Sequence, residues 1–101
     1  MTKLFVYGTL QDAKVQRNLF KKKLVGVPDV LVGYIKENIE IDGEQYPAVI
    51  PHKGGRVAGL VVSVSKLGLK RADEYETNAY KRIQVILESG HQAWVYAHIS
   101  F

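Results

Sequence analysis

The feature that most constrains this chain is a succession of short apolar, β-branched runs separated by glycine-containing turns. Val30-Leu31-Val32-Gly33-Tyr34-Ile35 is strand-like. Ile39 and Ile41 alternate with Glu40 and suggest a half-exposed strand. Asp42-Gly43 is a turn signal, Tyr46 to Ile50 a further strand ended by Pro51, and Gly54-Gly55 another turn before the valine-rich run Val57 to Val64. Strands joined by such tight turns pair antiparallel with their neighbours. A closed or nearly closed barrel follows, because closure removes exposed strand edges.

The two ends of the chain complete this pattern. Lys3 to Tyr7 reads as a buried strand, broken by Gly8 and Thr9. Asp12 is a plausible helix N-cap, and Val15, Leu19 and Phe20 recur at helical spacing, which predicts a short helix to about Lys22. A second helix is expected over roughly Lys66 to Tyr75, begun by Ser65. Two strands then close the chain, Tyr80 to Leu87 and Ala93 to Ile99, joined through Ser89-Gly90. The expected class is α+β: a small, mixed, mainly antiparallel β barrel of about six strands with two short helices. At 101 residues the expectation is a single domain over 1–101.

Composition narrows the chemistry. The chain has no cysteine, which excludes disulfides, thiolate metal sites and a cysteine nucleophile, and fits a cytoplasmic setting. No apolar stretch reaches the ~20 residues of a membrane helix, and the start lacks the features of a signal peptide. The net charge of +4 favours anionic partners in general, but Lys21-Lys22-Lys23 is the only dense run and reads as a solvated helix end. A nucleic-acid role rests on net charge alone. His52, His91 and His98 show no metal-ligand spacing; His91 and His98 are expected on opposite faces of the last strand. Gly54-Gly55 lacks the Lys-Ser/Thr and the helix that a phosphate loop requires.

Two segments carry more chemistry. Tyr7-Gly8-Thr9-Leu10 stands between a strand and a helix, where backbone N–H groups can hold a carboxylate or an oxyanion. The alternative is an ordinary strand-to-helix turn. In the second segment Leu69, Ala72 and Glu76 fall on one helix stripe, with Asp73 on the same face. Glu76 then lies at the helix C-terminus on the apolar side, where burial and the helix dipole raise a carboxyl pKa towards neutrality. Such a group suits general acid–base work. The alternative is an ion pair with Lys70, Arg71, Lys81 or Arg82.

Taken together these segments resemble a known family. Phe5-Val6-Tyr7-Gly8-Thr9-Leu10 resembles the opening motif of the γ-glutamylcyclotransferase-like (AIG2-like) family, and Asp73-x-x-Glu76 its acidic motif, followed by Tyr80-x-Arg82. Gly33-Tyr34, Tyr46-Pro47-Ala48-Val49, Val57-x-Gly59 and Trp94-Val95-Tyr96 match in the same order. Ala72 and Thr77 depart from the family's usual leucine and glycine. The resemblance implies a small barrel with helices outside, and cyclisation of a γ-glutamyl group to 5-oxoproline with release of an amine or amino acid. It implies Glu76 as general acid/base, with Tyr7, Gly8, Thr9, Leu10 and Tyr80 holding the substrate. It implies no metal and no organic cofactor. The expected partner is a small γ-glutamyl compound, with neither nucleic acid nor membrane, the chain being a monomer or weak homodimer. A binding module that holds a small metabolite in the same pocket without turnover is the alternative. Gly8, Glu76 and either Tyr80 or Tyr34 are expected to border one concave site.

Overall fold

The structure, a computed structural model, describes residues 1–76 and 79–98. Five strands and two α-helices follow in the order β1 (Thr2–Val6), α1 (Ala13–Phe20), β2 (Val27–Ile41), β3 (Glu44–Val64), α2 (Lys66–Glu76), β4 (Lys81–Ile86) and β5 (Gln92–Ala97), with a 3-10 turn at Thr9–Gln11 between β1 and α1. The sheet order is β2-β3-β1-β5-β4. Pairings are antiparallel except β1 with β5 and β3 with β5, so the sheet is mixed and mainly antiparallel. The early half of β3 meets β5 at Val49–Ala97, while its late half pairs with β1. The long strand thereby curls the sheet and joins β1, β3 and β5 into a ring.

Strand segmentation is where the structure departs from the sequence reading. Val30–Ile35 and Ile39–Ile41 are parts of one 15-residue strand, and Tyr46–Ile50 and Val57–Val64 are parts of one 21-residue strand. Gly54-Gly55 is not a hairpin turn. It belongs to a bulge in which His52 to Gly55 oppose the single residue Gly33, between the pairs Val32–Arg56 and Tyr34–Pro51. Gly33 and Gly54 have φ of 87° and 82°, and a Cβ on Gly55 would stand 2.3 Å from the Tyr34 carbonyl oxygen. Glycine therefore serves a sharp bend in two continuous strands. Pro51, lacking an N–H, is tolerated at the bulge edge rather than ending the strand. The Asp42-Gly43 turn is as expected, with φ of 51° and 82° and Ile41 pairing Glu44.

Side-chain alternation sorts the core into two layers. Phe5, Tyr7, Leu31, Val49, Val57, Val61 and Val95 fill the inside of the curled sheet. Leu4, Val6, Val62, Val64 and Tyr96 point the other way, against Leu19 of α1 and Ala72 of α2. Strand β1 is buried on both faces, which explains its unbroken apolar run. Asp12 caps α1, accepting from the amides of Lys14 (2.8 Å) and Val15 (3.3 Å). The helix ends at Phe20, where Lys21 turns left-handed (φ 65°), and the three lysines beyond it are exposed. Ser65 opens α2, its hydroxyl accepting from the Gly68 amide at 3.0 Å.

The last strand ends at Ala97 among the described residues; Ile99 lies outside them. His91 and His98 flank β5 instead of lying on it, because the strand spans only Gln92–Ala97. No helix among the described residues is long and apolar enough to cross a membrane.

Candidate active site

A cleft of about 520 Å³ opens where the end of β1, the β2–β3 hairpin and the end of α2 converge. Tyr7, Gly8, Thr9, Leu10, Glu76 and Tyr80 all line it. The resemblance thus points to residues that the fold gathers at one place from positions far apart in the chain. Tyr34 does not line it; its ring packs against the interior core layer.

The loop after β1 is set by its neighbours. Gly8 abuts Pro47, so that a Cβ there would lie 3.1 Å from the proline Cγ. The 3-10 turn uses the amides of Gln11 and Asp12, which donate to the carbonyls of Gly8 and Thr9. The amides of Gly8, Thr9 and Leu10 stand before that ladder. Leu10 drives its side chain into the core layer beneath the helices. Its carbonyl accepts from Gln16 Nε2 at 2.8 Å, and Gln16 Oε1 accepts from the Leu24 amide at 2.9 Å. Gln16 is thus a buried polar clip that fixes the loop to the chain beyond α1. Nothing in the sequence signals it, since a glutamine in an amphipathic helix ordinarily faces solvent.

Tyr7 is not a free phenol. Its hydroxyl donates to the Tyr96 carbonyl and accepts from the Val49 amide (3.3 Å), bridging β5 and β3 where the ring closes. Burial, above all, pushes its pKa up, with the Val49 amide pulling the other way. Tyr80 donates to the Pro47 carbonyl at 2.8 Å. Its pKa is pushed up to about 12, first by burial and then by the charge of Glu76. Tyr75 donates to the Thr9 hydroxyl at 3.3 Å, linking α2 to the loop.

The two carboxylates of α2 have separate surroundings. Asp73 accepts from Arg82 Nε (2.8 Å) and Nη2 (3.2 Å) and from the Tyr96 hydroxyl (2.7 Å), while Arg82 stacks over the Trp94 ring at 4.3 Å. The structural ion pair considered for Glu76 therefore belongs to Asp73. Glu76 has no salt bridge among the described residues. It is half-buried, and burial raises its pKa to about 7. A carboxyl raised in this way towards neutrality is suited both to accept and to return a proton.

This division has a measurable consequence. In Asp73→Asn the amide oxygen can keep the two hydrogen bonds made at Oδ1, from Arg82 Nε and the Tyr96 hydroxyl, but its NH2 group opposes Arg82 Nη2 and the charge that pairs with the guanidinium is lost. Because the pair is partly solvated, the expected loss is about 1–2 kcal/mol of stability. Thermal unfolding of the two proteins at matched pH measures it.

The sequence reading missed the opposite wall. Ile41, Asp42, Glu44, Tyr46 and Pro47 of the β2–β3 hairpin line the cleft, as do Tyr75 and Tyr96. A hairpin is legible in Asp42-Gly43, but that it leans over the Gly8 loop depends on the bulge and the ring closure.

A profile of the family described as gamma-glutamyl cyclotransferase, AIG2-like, matches residues 4–100. The chain belongs to this family. Among curated relatives it is 32% identical over 83 residues to protein AIG2 C of Arabidopsis thaliana, covering 81% of this chain and 49% of that protein. The chain spans about half the length of the curated relatives it matches. A solution structure of another Arabidopsis thaliana protein superposes with a TM-score of 0.81 at 28% identity, covering 98% of this chain and 69% of that one. A structure described as a gamma-glutamyl cyclotransferase superposes with a TM-score of 0.79 at 15% identity, covering 98% and 67%, a likeness of fold.

Proposed function

We propose that this member of the family is a cyclotransferase that converts the γ-glutamyl group of a γ-glutamyl amine or dipeptide to 5-oxoproline and releases the amine. The observation that carries the reading is the placement of Glu76. It is a half-buried carboxyl of near-neutral pKa, without an ion-pair partner among the described residues, in the cleft bordered by the Tyr7–Leu10 loop.

The reaction needs a base, an oxyanion site and a rigid wall. The substrate's α-amine arrives protonated and must lose a proton before its nitrogen attacks the γ-carbonyl carbon. Glu76 takes that proton. A C–N bond forms, the five-membered ring closes, and the carbonyl oxygen becomes an oxyanion. Collapse of the intermediate breaks the bond to the leaving nitrogen, which takes a proton back from Glu76, and the ring nitrogen gives up its second proton to the released amine, leaving the neutral lactam of 5-oxoproline and an ammonium product. Amine and carbonyl belong to one molecule, so holding the folded conformer supplies much of the acceleration.

The loop residues divide the binding work. Amides of Gly8, Thr9 and Leu10 offer donors to the substrate carboxylate or the oxyanion, in a cleft that no lysine or arginine among the described residues lines. Tyr7 contributes its ring as a wall, its hydroxyl being spent on β3 and β5. The Tyr80 hydroxyl, already donating to Pro47, has lone pairs left to accept from the substrate ammonium. Leu10 anchors the loop from below.

Incubation with a panel of γ-glutamyl amines and dipeptides tests the proposal. The expected result is 5-oxoproline and free amine in equal amounts, above the uncatalysed rate. Binding of these compounds without any product would replace the enzyme with a metabolite-binding module.

A further inference from the structure

Among the described residues, the charged side chains lining the cleft are Asp42, Glu44 and Glu76, all carboxylates, in a chain whose net charge is +4. They are not one cluster. Glu76 closes α2, while Asp42 and Glu44 stand at the tip of the β2–β3 hairpin. Pro47 marks the inner end of this wall, abutting Gly8 and accepting from Tyr80. Glu44 is three residues away along an extended strand, a run of about 10 Å. Tyr46 lies between them and donates to Glu44 Oε2 at 2.7 Å, holding that carboxylate against the wall. Tyr75 adds a second ring to the lining from α2.

A γ-glutamyl group seated against Glu76 and the Gly8 loop can extend its leaving amine along the hairpin wall, which borders the same cleft. Two carboxylates and two tyrosine rings attract an ammonium there and repel a carboxylate. We propose that Asp42 and Glu44, aided by Tyr46, select a leaving amine that carries a second positive charge: a γ-glutamyl diamine or polyamine in preference to a γ-glutamyl amino acid. The inference rests on the cyclotransferase reading and names the substrate class of that same cleft. Asp42 and Glu44 are exposed, so their attraction is screened and the preference weakens as salt rises.

Three amides with a common γ-glutamyl group test it, with butane-1,4-diamine, butylamine or 4-aminobutanoic acid as leaving group. The chains are of similar length and end in a positive, neutral or negative group. The expected kcat/KM is about tenfold higher for the diamine than for butylamine, and lower again for the acid. A double variant, Asp42→Asn with Glu44→Gln, should compress the whole series to within about twofold. Equal rates for the three amides in the wild-type protein, or an unchanged spread in the double variant, overturn the inference. Calorimetric Kd values for the same amides on a Glu76→Gln protein supply the order without turnover. If no amide yields 5-oxoproline the cyclotransferase reading fails, and the Kd order still decides the charge preference. Tightest binding of the diamine supports it; equal binding, or tightest binding of the acid, overturns it.

Discussion

A Glu76→Gln variant is expected to form 5-oxoproline about 10²–10⁴-fold more slowly than the wild-type protein, the usual contribution of a positioned acid–base group. Glutamine keeps the size of the side chain but cannot take the proton of the attacking amine. Affinity for the γ-glutamyl group should change little, since the loop amides are untouched. The fold should not suffer. Burial raises the Glu76 pKa from 4.5 to about 7, so the folded protein binds the proton more tightly than the unfolded chain between those values. The carboxyl is therefore neutral and harmless at low pH, and it detracts from stability as pH rises through that window. Above pH 7 the variant should be more stable, by about 1–3 kcal/mol. Loss of rate with gain of stability separates a catalytic carboxyl from a structural one. Asp73→Asn provides the contrast: it loses stability through the weakened pairing with Arg82, and whatever activity it loses comes through the positioning of α2.

The second large effect lies in the barrel wall. A Cβ on Gly59 would fall 2.5 Å from the Val6 carbonyl oxygen and 2.6 Å from Phe5 Cζ. Neither can move away cheaply: Val6 pairs with β3 at Leu60, and Phe5 fills the sheet interior at 1% exposure. Gly59→Ala should therefore cost about 3 kcal/mol or more, at the upper end of overpacking. Because β1 leads directly into Tyr7 and Gly8, the folded fraction should also bind substrate less well. Denaturant unfolding reads the first effect, and KM reads the second. An alanine variant of wild-type stability would show that β1 and β3 are not held as closely as this packing requires.

Much of the fold is legible in particular residues. Asp12 and Ser65 announce both helices, and Leu4 to Tyr7 announces a strand buried on two faces. Asp42-Gly43 announces the hairpin. What local signals cannot reveal is continuity. Pro51 and Gly54-Gly55 have the chemistry of turns, yet they sit in a bulge that bends a 21-residue strand without interrupting it. The reason is long-range: β1 takes one half of β3 and β5 meets the other, and this closure is absent from any window of sequence. The candidate site divides in the same way. Glu76 and the Tyr7–Leu10 loop are legible from spacing and family resemblance. Gln16 and the hairpin wall from Ile41 to Pro47 become visible only when the sheet has curled, since each depends on a partner many residues distant.

The most direct measurement is the pH dependence of kcat/KM for 5-oxoproline formation, followed in wild-type and Glu76→Gln proteins on one γ-glutamyl amine. This ratio reports the ionisation of the free enzyme. A base whose pKa is held near 7 by burial should make the wild-type rate climb with pH through an inflection at about 7 and then level off. The residual rate of the variant should lack that inflection. A wild-type profile flat between about pH 5.5 and 8, or an inflection near 7 that survives in Glu76→Gln, would contradict the assignment of Glu76 as the base.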